Sequence, residues 1–578
     1  MDSQPDSGLR VDAVWDIETQ GWDRFVCGSL WTRASGTVVM WSEDEFARAL
    51  LELPKGTTAW AHAGGTFDVL WLLDWLLRAG ERPPATITMS GSSIASFAIS
   101  GGPRFRDSAR LMPMSLAQAS TMFDGQRTKM ELDLPCTCGE DCGGYCSISP
   151  NLPARQANRL RDYLVCDVEA LRDTLDGLAA FALKNNIHLG GTVASSSWNT
   201  AKEFCQLEDA VWSSGMYRFV REGYKGGRVE VGITEAPIIK GWDRTQAYPA
   251  AMCKPLPCGE PKRLDRKGSE KAYNAGKPGV YEAYVTVPEQ HTGMLPVQLH
   301  SRIAYPWGKV YGHWHRDELR RAEERGARIE QFVESVVWPE EKPFLKPYMQ
   351  RCFELREAAE TKALKTWLKF LANSLSGAFA TGPEREVISI GDFADDDRYT
   401  PVGRHTWIWS RPIYQISGRA HVGLAGALTT DARVELDRQI EHAGEAWAYS
   451  DTDSCKATRE LTRNVGTGLG VWKYEGEGEG WECLAPKVYS YKQDGEREAR
   501  AKGIRDAVEN WDDIRSGAKV TTTRGVNTFK IAVRGDKLFQ RRNTHRHVTP
   551  DPRWCGARIR VGTGTRTPHV DELKELET

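Results

Sequence analysis

AWAYSDTDSCK, residues Ala446 to Lys456, runs small and aromatic residues up to two aspartates separated by one threonine. In an extended strand or hairpin, Asp451 and Asp453 project to the same side. Two carboxylates held that close repel each other unless a cation lies between them or one takes up a proton. An exposed Asp-rich turn would use the same letters. The distinction rests on whether other carboxylates in the chain complete a site.

At 578 residues the chain is too long for one hydrophobic core, and about three to five domains or subdomains are expected. The start, MDSQPDSG, has neither the basic nor the apolar region of a signal peptide. The most apolar run, VLWLLDWLL (Val69 to Leu77), is short and carries Asp74, so it reads as a buried helix and no membrane association is expected. The 13 cysteines then imply reduced thiols in a cytoplasm, with metal binding the alternative wherever they cluster. The net charge of −2 hides a basic stretch: from Arg524 to Arg566 there are eleven Lys or Arg against two Asp. It suits a phosphate backbone or a solvated face equally. Gly and Pro cluster near 188–192, 253–278 and 376–404, the candidate boundaries.

VDAVWDIET (Val11 to Thr19) alternates like a strand, with Trp15 and Ile17 on one side and Asp16 and Glu18 on the other. In AHAGGTFDVLWLLDWL a Gly-Gly turn delivers Phe67 and Asp68 to the start of the apolar helix. RDYLVCDVEAL places Tyr163 and Asp167 four apart on one helix face. Acids on separate elements, here Asp16, Glu18, Asp68 and Asp167, are what holding two divalent metals requires, and such metals activate a water on a phosphodiester. Tyr163 would orient that water. The ordered set D-x-E, FD and Y-x-x-x-D resembles the 3′–5′ exonuclease domain of proofreading DNA polymerases, an α/β fold of the ribonuclease H kind. Two positions depart from that family: Ala63 replaces an Asn that contacts single-stranded DNA, and Ala109 replaces the Leu after Ser108, itself a single-strand contact in the family.

The resemblance extends to family B DNA polymerases over the rest of the chain. YKGG, with Tyr224, Gly226 and Gly227, matches the linker between exonuclease and polymerase domains, whose glycines let backbone approach a template phosphate. GWDRTQAYPAAM contains Asp243, Tyr248 and Pro249 in the spacing of the first polymerase motif. The resemblance makes Asp243 a metal ligand and Tyr248 the ring that excludes a ribose 2′-hydroxyl. LREAAETKALKTWLKFLANSLSG is expected to be one helix. Lys362, Lys365, Lys369 and Asn373 form one stripe on it, and Leu364, Leu368, Leu371 and Leu375 form a second. A solvated lysine face gives the same stripe, but K-x-x-x-N-S-x-x-G matches the second polymerase motif. Lys369 would then hold the triphosphate of the incoming nucleotide, helped by Arg356 from the same helix. Ser376 stands where the family has Tyr.

AYSDTDS matches the third polymerase motif, so that Asp453 and Asp243 would clamp two Mg²⁺ ions (Mn²⁺ serving chemically) with Asp451 in support. Lys487 and Tyr489 in LAPKVYSY fit the element that steadies a primer terminus, and Lys502 in AKGI a template contact. The compact spacing is most like the protein-primed DNA polymerases of phages and linear plasmids. The expected architecture is α/β and multidomain: a ribonuclease H-like 3′–5′ exonuclease domain (1–190), then a right-hand polymerase. The latter comprises linker and first palm (191–287), a first insertion contacting a priming protein (288–347), fingers (348–379), a hairpin insertion (380–414), second palm (415–484) and thumb (485–578). Its partners would be primer–template and single-stranded DNA, deoxynucleoside triphosphates and a terminal protein, with the chain a monomer in the cytoplasm of a bacterial host.

CTCGEDCGGYC sets Cys136, Cys138, Cys142 and Cys146 among glycines, either as a tetrahedral structural Zn²⁺ site or as uncoordinated thiols on a loop. Three other readings stay open: a family B replicase started without a protein primer, a nucleic-acid-binding protein with decayed centres, and a stand-alone nuclease. The last leaves the chain after residue 220 unexplained.

Overall fold

The structure, a computed structural model, describes residues 9–20, 24–132, 148, 152–504, 506–526, 528–535, 538–539 and 541–576. The cysteine cluster at 136–146 lies outside them. No helix among the described residues is long and apolar enough to cross a membrane.

Strand Ala13–Gln20 lies in a ten-stranded sheet, parallel to Thr58–Ala61, which is in turn parallel to Arg104–Asp107. Its alternation sorts side chains as period two demands. Trp15 and Ile17 face a core closed by helices Glu43–Leu51 and Asp68–Ala79. Val14 and Trp60 face the 31-residue helix Ala154–Lys184, which buries Val168, Leu171, Leu175 and Leu178 against them. The far edge of this sheet comes from distant sequence. Strands Glu384–Ile390 and Ile408–Tyr414 pair as the expected hairpin. Glu384–Ile390 then joins Ala85–Ser90, with Ile388 opposite Ile87. Hairpin and N-terminal region thus form one continuous sheet, which no local pattern announced.

A second, seven-stranded antiparallel sheet holds Glu235–Arg244 between Trp472–Ala485 and Ser454–Ala457. Val488–Gln493 and Glu496–Ala501 continue it, so the break expected at residue 485 falls inside one sheet. Helix Val422–Ala443 closes its back, packing Leu436 and Ile440 on Trp242, Trp447 and Trp472. Between Asp243 and Lys369 stands a separate four-stranded sheet, built from residues 262–337 and covered by helices Arg266–Asn274 and Arg316–Glu324.

The helix expected to run unbroken from Leu355 to Gly377 is two helices, Lys346–Ala358 and Lys362–Phe379. Ala359 turns extended, and Thr361 caps the second helix by accepting from the Leu364 amide at 3.2 Å. The Thr361 hydroxyl donates to the Met122 carbonyl at 2.8 Å, so a tertiary contact holds the break. Arg356 therefore sits on the preceding helix, not on that of Lys369. The leucine stripe is buried as expected, and Lys362, Lys365 and Lys369 are exposed.

Asp437, fully buried on helix Val422–Ala443, accepts from three arginines: Arg228 at 3.0 Å, Arg321 at 2.8 Å and Arg325 at 2.6 Å. Removing one member of such a cluster leaves buried charge uncompensated, at a cost of about 3–5 kcal/mol. Asp437→Asn should lower stability by roughly that amount, read as a lower denaturant midpoint. A midpoint equal to wild type would show that the cluster holds nothing together.

Candidate active sites

The first site forms where three chain segments meet. Asp16 and Glu18 lie two apart on strand Ala13–Gln20, just before a register shift at Glu18/Thr19. Asp68 opens helix Asp68–Ala79, where the positive end of the helix dipole favours a carboxylate. The turn before it requires glycine, since a Cβ on Gly65 would stand 1.7 Å from the Ile94 carbonyl oxygen. Asp167 and Tyr163 are buried one turn apart on helix Ala154–Lys184.

Burial dominates the electrostatics of all four acids. It raises Asp16 to about 7, with Asp167 adding repulsion. Burial, then the charge of Asp16, holds Glu18 and Asp68 well above their usual range. Burial also raises Asp167, against the pull of Lys129. One oxygen each of Asp68 and Asp167 is buried with no partner. Hard oxygen donors, raised pKa values and orphaned lone pairs together fit divalent cations. No three such side chains among the described residues already converge on one point. The cation present is the Lys129 ammonium, bonded to Asp167 and 2.7 Å from the Tyr163 hydroxyl. Sequence reading missed Lys129, because QRTKMEL offers no periodicity or spacing that singles it out.

Asp16, Lys129 and Asp167 open on a cleft of about 380 Å³ that is also lined by His62 and Ala63. Ala63 is held left-handed at φ 59°, which an L-residue with Cβ tolerates poorly. Ser108, expected to touch single-stranded DNA, is instead fully buried. Its hydroxyl is 3.0 Å from His62 Nδ1 and 3.2 Å from the Ala61 carbonyl. His62 Nε2 is 2.8 Å from the Met114 carbonyl, which can only accept. The neutral ring therefore donates there, and Nδ1 and the Ala61 carbonyl both accept from the single Ser108 hydroxyl proton, which holds Ser108 inward. Phe67 is half-buried, edge-on to Phe539 with ring centroids 5.0 Å apart.

The second site lies on the seven-stranded sheet. Asp243, near the end of strand Glu235–Arg244, registers with Ser454, the residue after Asp453. The hairpin between Trp447–Asp451 and Ser454–Ala457 turns through Thr452 at φ 60°. The Asp453 amide donates to the Asp451 carbonyl at 2.7 Å, and the Asp453 carbonyl accepts from the Arg244 amide at 2.7 Å. Burial first and Asp453 second raise Asp243 to about 6, with Glu475 adding repulsion and Lys369 opposing. Burial also raises Asp453, again against Lys369. The sheet thus brings together two acids 210 residues apart in sequence, and the lysine helix faces them. Two part-buried carboxylates raised by burial and by neighbouring acids, with lysine and arginine charges opposing the shift, fit a dication between them.

Asp451 is engaged differently, 3.0 Å from Lys487 Nζ and within 3.2 Å of the Thr452 hydroxyl. The Lys487 amide donates to Tyr449 Oη at 3.2 Å, and the Lys502 amide to the Lys487 carbonyl at 3.1 Å. Tyr489 stacks in an aromatic group with Tyr449, Trp481 and Tyr491. Tyr248, on the short helix Ala247–Met252, is half-buried, and burial with the neighbouring Tyr224 pushes its hydroxyl up to about 12. Tyr224, Gly226 and Gly227 form the loop between helix Ser214–Gly223 and strand Val229–Val231. A Cβ on Gly227 would meet the Thr452 side chain at 2.4 Å, so the glycine is required beside the aspartate hairpin. Asn373 bonds back to the Lys369 carbonyl at 2.8 Å.

Residues 154–400 match the family described as DNA polymerase type B, organellar and viral. A probable DNA polymerase of Neurospora intermedia is 22% identical over 517 residues, covering 77% of this chain and 52% of that protein. The DNA polymerase of human adenovirus C serotype 5 is 22% identical over 348 residues, covering 54% of this chain and 28% of its own length. The chain thus spans about half the length, or less, of these curated relatives. Phi29 DNA polymerase complexed with primer-template DNA and incoming nucleotide substrates superposes with a TM-score of 0.72 at 16% identity, over 93% of this chain and 99% of that one.

Burial lowers the His62 pKa to about 4, so the unfolded chain binds this proton more tightly than the folded one. Its contribution to stability is complete above about pH 6.5 and is lost as pH falls toward 4. The buried carboxylates raised above their usual range act in the opposite sense over the same interval, so the test is the difference. On going from pH 7 to 5 the melting midpoint of wild type should fall relative to that of His62→Gln, which lacks the imidazole. Identical pH profiles for the two proteins would exclude a buried neutral imidazole.

Proposed function

We propose that this chain, which has the fold of the family B DNA polymerases and is similar to those of the protein-primed kind, is a DNA-templated DNA polymerase with a 3′–5′ proofreading centre. The observation carrying this reading is the meeting of Asp243 and Asp453 across adjacent strands with Lys369 facing both. That arrangement serves transfer of a nucleotidyl group from a triphosphate.

Asp243 and Asp453 would hold one pair of divalent cations, and Asp16, Glu18, Asp68 and Asp167 another. When bound, Mg²⁺ supplies Lewis-acid stabilisation of the attacking and leaving oxygens of a phosphodiester. The protein's part is positioning. Lys369 presents an ammonium to the triphosphate from an exposed helix face, with Asn373 one turn on and Arg356 on the neighbouring helix. Tyr248 sets a ring where the incoming sugar would lie. Lys487 is held by Asp451 and Tyr449, and beside Tyr489 it steadies the primer end. Lys502, exposed on the adjoining turn, is available to the template. Tyr224, Gly226 and Gly227 would guide template past the aspartate hairpin. At the proofreading centre Lys129 and Tyr163 hold Asp167 and orient the attacking water, and Phe67 lines the approach of a frayed end. Protein priming, on a phage or linear-plasmid genome in a bacterial cytoplasm, is the finer reading that the similarity favours.

With a labelled primer–template and Mg²⁺, Asp453→Ala should lose extension by at least about 1,000-fold and keep shortening. Asp16→Ala should do the reverse. Loss of both activities in either variant would refute two separate centres, and a wild type that binds but neither extends nor shortens would favour a decayed binding protein. Chelation should abolish both activities, and restored Mg²⁺ should return them. Tyr248→Ala should reduce discrimination against ribonucleotides by about 10- to 100-fold. Template and nucleotides without any primer should give no product, and product there would favour primer-independent initiation.

A further inference from the structure

Arg104 and Arg106 stand two residues apart on strand Arg104–Asp107, in register with Thr58 and Trp60 on the parallel neighbour. Period two puts all four on one face of the sheet. With Arg10 they line a cavity of about 290 Å³, bounded by Gly56, Gly102 and Pro103. Among the described residues no Asp or Glu lines it. Asp12, two residues after Arg10, is already engaged: it accepts from the Thr58 amide at 2.9 Å and lies 3.5 Å from the Arg10 guanidinium.

Arginines on a surface are ordinarily a solvated face. Two features set this group apart. The Arg106 guanidinium sits 5.6 Å from the centroid of the buried Trp60 ring, and its Nε is buried with no partner. A Cβ on Gly191 would stand 2.5 Å from Arg106 Nη1, so the linker backbone presses on the side chain and fixes it. Burial and repulsion from Arg104 also weaken the hold of Arg106 on its proton, the strain that a bound anion relieves.

We propose that this cavity is a phosphate-binding site, which takes the phosphate group of a free nucleotide or of a nucleic-acid backbone. Guanidinium forks match phosphate oxygens in pairs, and the absence of a lining carboxylate favours an anion over a cation. The cavity lies at the N-terminal ends of the parallel strands, where Thr58 and Arg104 are first residues. Asp68 and Asp107 lie at or beyond their C-terminal ends, so the cavity is separate from the carboxylate cleft. Its size admits a phosphate with its sugar, and a strand crossing it would leave one or two phosphates there.

The test compares wild type with Arg104→Ala/Arg106→Met, in which the methionine keeps the apolar stem against Trp60. Melting midpoints are measured in inorganic phosphate and in chloride at equal ionic strength. Arg104→Ala alone, at an exposed position, serves if the double variant does not fold. Wild type should show a phosphate-specific rise, and the variants should bind phosphate about tenfold more weakly or worse. Binding of a single-stranded oligonucleotide in chelator, across a salt series, identifies the source. A slope of log affinity on log salt reduced by about 1–2 in the double variant supports a backbone phosphate. An unchanged slope with the phosphate response lost supports a free nucleotide. A wild type without a phosphate-specific rise, or a variant that keeps it in full, overturns the site. None of these readouts depends on polymerase or nuclease activity.

Discussion

The structure hangs on a buried carboxylate surrounded by arginines. Asp437 gathers Arg228, Arg321 and Arg325. Arg228 also bonds Glu230, which lies 3.6 Å from Arg558 near the C-terminal end of the chain. On the same helix Arg433 pairs with the buried Glu318 at 2.7 Å and donates to the Lys225 and Gly226 carbonyls. Buried ions are costly to desolvate, and such a cluster is stable only when each member is bonded. It therefore accepts one arrangement of the elements that supply it. The Arg228 carbonyl accepts from the Thr452 amide at 2.7 Å, so the cluster reaches the residue between the two hairpin aspartates. The geometry of Asp451 and Asp453 is set from behind.

Both carboxylate centres work against stability. Acids buried beside acids would disperse if the scaffold allowed it, and here they are kept together by monocations: Lys129 at one site, Lys369 and Lys487 at the other. Backbone strain concentrates at the same places. Among the described residues eight non-glycines have positive φ, and those other than Asn, Asp and Gln are Ala63, Thr452 and Lys487. Each borders a carboxylate cluster. Strain of this kind persists only where surrounding packing over-determines it, and at the Thr452 hairpin the buried tryptophans beneath the seven-stranded sheet supply that packing.

The two halves share a core as well as a sheet. Leu364, Trp367, Leu368 and Leu371 of the lysine helix pack in the same cluster as Val168, Leu171 and Leu175 of the helix that carries Asp167. Trp367 donates to the Leu111 carbonyl at 3.0 Å, and Asp74 accepts from the Leu538 and Phe539 amides. The N-terminal region is thus tied to the lysine helix and to the C-terminal segment, and a change in one half is felt in the other.

The sequence by itself determined the carboxylates and the elements that bear them. Alternation in VDAVWDIET, the Gly-Gly turn before Asp68, the stripes of Lys362–Phe379 and the D-x-D hairpin are local patterns, legible because side-chain period and turn chemistry act over a few residues. What the tertiary structure decided are relations between distant segments, which no local period encodes. Lys129 comes to Asp167 only because helix Ala154–Lys184 folds back on the sheet. Ser108 is turned inward by the neutral His62, and Thr361 breaks a helix that its neighbours would have continued, because Met122 offers a carbonyl there. The hairpin around Ile388 finds Ile87 across some three hundred residues. Arg104 and Arg106 become a cavity only when Thr58, Trp60 and Gly191 close around them. Local propensity chose the pieces, and burial of charge and of apolar surface chose how they meet.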